Sequence, residues 1–464
     1  MRACQTQVKN TKEYGKTLTL TYNRLVDYLT DYQHIFKNKT KTFFDKAQLY
    51  TQGILRSSSR NIEQICDTLF EQDYYQMQHF ITNSNWDYRS VIDIAAKNTS
   101  SALPKRKLTS LVIDETGIVK KGDKSVGVGW QYCGNVGKTA NSQVAVMACL
   151  SNGDLASMVD ARLYLPNDWC DSPQRCKRAG IPKDQQTFKT KLDIAYEIIL
   201  HQLKLGTCFD FVSADGYYGN DMSFADKIDK LGLLYMLDIH SDQPIFLEKP
   251  ELYLPERKST RGREPKLLKP NIESIKVQEF CKGLDNNQWQ EIKVRNTAKG
   301  VLKALYHFSN VFVWNKQKNL IESRLLVIRR SRTKNGEEIK YSFTNASIAQ
   351  YTFKAIASMQ AQRFFIEHCI KESKSILGMD QFQTRKWLAW YHQVALNIMT
   401  MCFILEEKLV NFANIPLLSA RDIRDWLCFL MSKQLTESQM IEIIYIRHLR
   451  RQRDVNQYYS NVFN

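Results

Sequence analysis

The chain has 464 residues, 43% of them hydrophobic and 11% aromatic. That is too apolar for a disordered chain and enough for about two to four domains with a sizeable core. The net charge of +17 favours a polyanionic partner, because neutralising phosphates releases counterions.

Residues 1–100 read as helical. Apolar residues recur at three- and four-residue spacing over Tyr22 to Phe36 and Phe43 to Leu55. Asn61 to Phe70 follows with Ser57 to Ser59 as N-caps, then Asp73 to Thr82, then a helix through Val91 to Ala96 capped by Asn83 or Asn85. Short helices with tight turns could form a helix-turn-helix DNA reader, and an ordinary helical bundle gives the same pattern. The polar, basic stretch TSSALPKRK (Thr99 to Lys107) marks a boundary. Strands are expected at Leu108 to Asp114, Ser125 to Tyr132, Ser142 to Ser151 and Met158 to Leu165. A polar loop with Trp169 and Pro173 precedes a helix from Gln185 to Leu205. A strand (Phe209 to Ala214), a helix (Asp221 to Leu231) and a strand (Leu233 to Ile239) complete residues 101–240. This order suits a mixed α/β sheet with helices on its faces.

Residues 241–346 read as a β-rich insertion, punctuated by Pro244, Pro250, Pro255, Pro265 and Pro270. Its strands are expected at Glu291 to Arg295, Leu302 to Trp314, Ser323 to Arg330 and Ile339 to Thr344. The stretch Lys249 to Lys269 has seven Lys or Arg against three Glu, either a solvated loop or a phosphate-tracking one. A long helix follows within 347–380, from Gln350 or Phe353 to Leu377. The remainder, 381–464, is helical and ends in a basic helix with Arg447, Arg450, Arg451 and Arg453. An anionic membrane would also attract the net charge. The apolar run Val394 to Leu405, however, reads as too short to span a bilayer and is interrupted by Asn397 and Thr400.

Three acids stand out against this frame. Asp114 (LTSLVIDETG) and Asp215 (FDFVSADGYYG) each end an apolar β-type run and precede a glycine. Glu367 (QAQRFFIEHCIKESK) lies in the long helix. Hydrolysis of a phosphodiester needs an activated water, a stabilised leaving oxygen and neutralised phosphate charge. Two Mg²⁺ ions about 4 Å apart supply all three, and Mg²⁺ prefers carboxylate oxygen. Asp114 and Asp215 would lie side by side if their strands pair. At about 100° per residue, Arg363, Glu367 and Lys374 fall within about 40° of one another on one helical face, with Lys371 and Gln360 slightly further round. A solvated Arg–Glu pair four residues apart produces the same pattern.

The stretch Asp114 to Ala148 (DETGIVKKGDKSVGVGWQYCGNVGKTANSQVAVMA) resembles the first catalytic segment of DDE-type insertion-sequence transposases, and SADGYYGND resembles their second. Arg363, Glu367 and Lys374 fit the Arg-x3-Glu-x6-Lys part of the Tyr-Arg-Glu-Lys signature of the insertion-sequence-four superfamily. LYLPNDWCDSPQRCKRAGIP, GMDQFQTRKWLAWYHQ, RNIEQICDTLF and MQHFITNSNWDYRSV are also similar to one branch of these enzymes. The resemblance runs from about Arg60 to Gln393. One position departs from it: Gln360 stands where the signature has Tyr.

The resemblance implies an RNase H-like mixed-sheet catalytic core interrupted by a β-rich insertion and flanked by helical regions. It implies Asp114, Asp215 and Glu367 as catalytic, metal-binding carboxylates for Mg²⁺, with Mn²⁺ as a substitute. The reaction implied is nicking at transposon ends followed by attack of the freed 3′-OH on target DNA. The partners would be double-stranded DNA and a second copy of the chain in a synaptic complex, in the bacterial cytoplasm at the nucleoid and away from membranes. Arg363, Lys374, Lys371, Lys138 and Trp289 are the expected DNA contacts. In relatives a Trp of the insertion can hold a flipped base, and stacking offsets the cost of unstacking. Trp289 fits this better than Trp314, whose apolar run suggests a core position. A catalytically inactive DNA-binding descendant and a standalone RNase H-like nuclease are the alternatives.

Other features carry less. Gly134 to Thr139 ends like a P-loop, but Tyr132 occupies the place of its first glycine and no helix is expected to follow. Lys138 could still touch DNA phosphate. Glu115 points to the opposite strand face from Asp114, and Asp123, Asp160 and Asp210 are further acids nearby. His368 lies about 100° round the helix from Glu367, and His240 and Cys281 have no partners at metal spacing. The opening MRACQTQVKN lacks the apolar core of a signal peptide. The 11 cysteines include no CxxC pair, so reduced thiols, an intracellular setting and no zinc site are expected.

Overall fold

In the computed structural model, which describes residues 18–70, 73–105, 107–153, 155–256, 266–297, 300–333, 336–432 and 436–463, the chain is a mixed α/β protein built on one ten-stranded sheet. Part of the basic stretch Lys249 to Lys269 lies outside these residues. Five helices come first: α1 (Thr21–Asp31), α2 (Phe44–Arg56), α3 (Ile62–Leu69), α4 (Tyr74–Thr82) and α5 (Tyr88–Ala102). Asn61, Asp73 and Asp87 cap the last three by accepting from backbone N–H groups of the first turn. The caps are therefore not Ser57 to Ser59 or Asn83 and Asn85. A cap must sit directly before the first helical residue, and α3 and α5 begin at Ile62 and Tyr88, beyond the reach of those side chains.

The strands are β1 (Ser110–Val119), β2 (Gly129–Cys133), β3 (Lys138–Asn152), β4 (Leu155–Leu163), β5 (Phe211–Ala214), β6 (Leu234–Ile239), β7 (Gln290–Thr297), β8 (Gly300–Asn315), β9 (Leu320–Thr333) and β10 (Gly336–Thr344). Their order is β7-β8-β9-β10-β6-β5-β1-β3-β2, and β4 also pairs with β3. β1, β3 and β4 pair antiparallel. β5 lies parallel to β1 and β6 parallel to β5, with Ile113 beside Ala214 and Ala214 beside Leu237. All four residues of β5 are buried, as befits an interior parallel strand. β10 runs antiparallel to β6, so the strands of residues 290–344 extend the same sheet.

Helices cover both faces. On one, Leu111, Ile113, Val146 and Ala148 pack against α6 (Lys191–Leu205) and α7 (Met222–Asp229) through Ile194, Ile198 and Phe224. On the other, Val112, Met147 and Cys149 share a core with the N-terminal helices and with residues of the C-terminal half. The helix expected from Phe353 to Leu377 is two helices, α8 (Phe353–Gln362) and α9 (Phe364–Ser375), broken at Arg363. α10 (Trp387–Val410) follows, then α11 (Ala420–Met431) and α12 (Glu437–Phe463).

α10 corrects the reading of its apolar run. It has 24 residues and a mean hydropathy of 1.3 over its most apolar window, long and apolar enough to cross a membrane by composition. That window is 94% buried inside the protein, so this is a core helix. Asn397 and Thr400 fit inside it by donating to the carbonyls of Gln393 (2.9 Å) and Leu396 (2.7 Å). The C-terminal arginines are partly committed to packing. Arg447 pairs with Asp67 at 2.7 Å and Arg450 with Glu63 at 2.9 Å, holding α12 on α3.

Candidate active site

The parallel register sets the site. One residue beyond the aligned Ile113, Ala214 and Leu237 stand Asp114, Asp215 and Asp238, a row of acids where the parallel pairing of β1, β5 and β6 stops; β1 itself runs on to Val119 beside β3, past the end expected at Asp114. Ligands of open α/β sheets gather at the carboxyl ends of the parallel strands. The Asp215 carboxylate accepts from Tyr217 N–H at 3.0 Å and caps the short helix Gly216–Gly219. This turn packs tightly on β6: a Cβ at Gly219 would stand 1.9 Å from the Asp238 carbonyl oxygen. Glycine at that position is a requirement of close approach.

Arg363, at the break between α8 and α9, reaches into this row. Its Nε lies 2.7 Å from Asp238 Oδ2, its Nη2 donates to Glu367 Oε1 at 2.8 Å, and its Nη1 lies 3.8 Å from Asp114 Oδ2. Burial, and then the neighbouring Asp215, push the Asp114 carboxyl up to about 7, with Arg363 pulling the other way. Burial also raises Asp215, helped by Glu115. Burial opposes the charge on Arg363, yet Asp238, Glu367, Asp114 and Asp215 together hold it above its ordinary value. The site is an excess of carboxylates around one cation.

Of the residues singled out in the sequence, Asp114, Asp215, Arg363 and Glu367 come together here. Lys374 reaches the same strand a little further on, donating to the Gly117 carbonyl at 3.2 Å, and burial lowers its pKa. Lys371 is exposed on α9, and Lys138 is exposed at the start of β3. Trp289 lies apart, just before β7, partly buried, with the Arg330 guanidinium 4.5 Å from its ring centre. Trp314 is also partly buried, under Lys316. Glu115 faces away from Asp114, taking Lys191 at 2.8 Å and the Tyr218 hydroxyl at 2.9 Å. Asp160 is buried and held by Arg89 at 2.7 Å. Gly134 to Gly137 form the turn between β2 and β3 and open no helix.

Asp238 was missed by sequence reasoning. Its signal was an acid at the end of a third strand parallel to the first two. It also explains the departure at Gln360. That buried side chain donates to Ser342 Oγ at 2.9 Å, and Ser342 Oγ donates to Asp238 Oδ1 at 2.6 Å. The residue standing in the signature's Tyr position thus connects to Arg363 through Ser342 and Asp238.

The hard carboxylate oxygens are the donors a divalent cation such as Mg²⁺ prefers. Among the described residues, no three His, Cys, Asp or Glu side chains converge closely enough to enclose an ion as they stand. Arg363 lies between Glu367 and Asp114 and supplies the positive charge instead.

The family described as DDE superfamily endonuclease matches residues 31–301, more than half of the chain, taking in Asp114 and Asp215 and ending before Glu367. A protein of Microchaete diplosiphon described as "Probable transposase for insertion sequence element IS701" is 29% identical over 217 residues, which are 47% of this chain and 53% of that protein. The chain therefore spans about half the length of that curated relative. Among solved structures, the cryo-EM structure of the piggyBac transposase synaptic complex with hairpin DNA aligns over 96% of this chain and 87% of that one, at 11% identity and a TM-score of 0.36. On the family match, the chain belongs to the DDE superfamily endonucleases, the group to which its resemblance to DDE-type insertion-sequence transposases pointed.

Proposed function

We propose that the chain is a metal-dependent transposase that nicks DNA at transposon ends and joins the freed 3′-OH to target DNA, with Asp114, Asp215 and Glu367 as its catalytic carboxylates. The observation that carries this reading is the register that puts Asp114 beside Asp215 where the pairing of two parallel strands stops, with Arg363 linking Asp114 to Glu367. The arrangement of β4, β3, β1, β5 and β6, three antiparallel strands followed by two parallel ones, supports an RNase H-like core. In this reading residues 1–100 carry DNA recognition, residues 241–346 form the insertion, and two copies act on two ends.

In the first step a water oxygen bonds to phosphorus and the P–O3′ bond breaks, leaving a 3′-OH and a 5′-phosphate. In the second, that 3′-OH attacks a target phosphorus and displaces its 3′ oxygen. A divalent cation bound by Asp114, Asp215 and Glu367 would activate the nucleophile and neutralise phosphate charge. The chain's own residues prepare the site. Arg363 balances the carboxylates until then, and Asp238 gives its guanidinium a second anionic partner to hold it close by. Lys371 and Lys374, on the helix that carries Glu367, are placed to meet the phosphate backbone.

Cleavage of end DNA in Mg²⁺ tests the reading. Glu367→Gln removes a carboxylate that is half-exposed and little surface charge, so cleavage should vanish while DNA affinity stays within about twofold. Full cleavage by this variant would move the third carboxylate elsewhere.

A further inference from the structure

Among the described residues, two of the three most exposed Trp and Tyr side chains lie on one short strand. Trp130 is 79% exposed and Tyr132 is 60% exposed, two residues apart on β2, the end strand of the sheet. Residues two apart on a strand point the same way, and their rings stand about 6.7 Å apart. The register gives the direction. Trp130 pairs with Asn141 and Tyr132 with Thr139 of β3, while Met147 of β3 pairs with Asp114. Residues 139, 141 and 147 alternate onto one face, so both rings stand on the sheet face that bears Asp114. Met147 and Asn141 are six residues apart along β3, about 20 Å or roughly six base-pair steps.

The surroundings are basic. Lys121, Lys124 and Lys138 are exposed around the strand, against two exposed acids that are each paired: Asp123 faces Lys124 at 3.5 Å and Asp168 pairs with Arg175 at 2.8 Å. A second copy of the chain would bring like charge to this rim, on a protein that already carries +17. A polyanion with flat apolar groups fits both features. Trp289 and Trp314, by contrast, are partly buried with a cationic side chain over each ring.

We propose that Trp130 and Tyr132 form a stacking platform for unpaired bases of a DNA strand, with Lys121, Lys124 and Lys138 following its phosphates. The identity of the strand as DNA rests on the transposase reading above; the stacking itself rests on the exposed rings and their register.

The test uses the full chain in EDTA, where no cleavage occurs, with a short oligothymidine and a blunt duplex as probes. Trp130→Ala should weaken oligothymidine binding about 5- to 150-fold and leave the slope of affinity against salt unchanged, because stacking carries no charge. Trp130→Phe should restore most of it. Lys121→Ala with Lys138→Ala should instead lower the salt slope by about one to two units. Duplex affinity should shift less than twofold on losing Trp130. Unchanged oligothymidine affinity in Trp130→Ala overturns the platform. So does a dimer that falls apart on that substitution while DNA affinity stays intact, which would make the strand a contact between copies. The two readings fail separately. If Trp130→Ala loses oligothymidine binding but the wild type never cleaves end DNA in Mg²⁺, the transposase reading falls and the platform stands.

Discussion

Asp114→Asn should stabilise the metal-free protein at pH 8. The Asp114 side chain is 16% exposed, and burial with Asp215 lifts its carboxyl from 3.8 to about 7. That is about three units, at about 1.4 kcal/mol each, so ionising it in the folded state costs at most about 4 kcal/mol. The folded state holds the proton more tightly than the unfolded chain. Wild-type stability is therefore lost as pH rises from about 4 to about 7, and is level above that. Asparagine has no charge to bury and shows no such loss. At about 2.1 cal/mol/K per residue, 464 residues give an unfolding entropy near 1 kcal/mol/K, so 4 kcal/mol corresponds to about 4 °C in Tm. Arg363 keeps Asp238 and Glu367 as partners, so the gain should reach about 2–4 °C at pH 8 and shrink towards zero at pH 4. Calorimetry in EDTA across that range measures it. A variant that melts below wild type at pH 8, or a difference that does not change with pH, refutes the reasoning. Mg²⁺ should then raise the wild-type Tm by mass action and leave the variant where it was.

Two further substitutions probe the surroundings of the carboxylates. Asp238→Asn removes the anion at Arg363 Nε, and cleavage should fall about 10- to 100-fold, the usual effect of losing a partner that orients a metal-site residue; an unchanged rate would make Asp238 incidental. Gly219→Ala places a methyl 1.9 Å from the Asp238 carbonyl, so the end of β6 must move; Tm and cleavage should both drop, and a variant with wild-type values for both would contradict the close packing of that turn.

Much of the sheet was legible because its strands are apolar runs bounded by turn residues. β5 and β6 fall within two residues of the segments expected, and the four strands expected between Glu291 and Thr344 are also present. Asp114 and Asp215 were legible because each ends such a run. What periodicity could not supply was register. Nothing in the local pattern of LDIH shows that Asp238 aligns with two acids more than twenty residues away. The partner of Gln360 likewise comes from β10, through Ser342, a contact between distant segments. The exposure of Trp130 and Tyr132 was hidden for a related reason. An aromatic-rich strand reads the same whether it lies inside a sheet or at its edge. α10 was misjudged because the run was ended at Gln393 and Glu406 and Asn397 and Thr400 were counted as interruptions, whereas the helix runs from Trp387 to Val410 and those two side chains bond to its own carbonyls.

Asp114, Asp215 and Glu367 are proposed to cut DNA. The most direct test of that proposal incubates wild-type protein and Asp114→Ala with Mg²⁺ and DNA carrying the sequences that flank the reading frame. Nicks at defined ends, made by the wild type alone, are the predicted result. Binding of that DNA without cleavage, in Mg²⁺ and Mn²⁺ alike, would contradict the account and leave a DNA-binding protein of transposase descent.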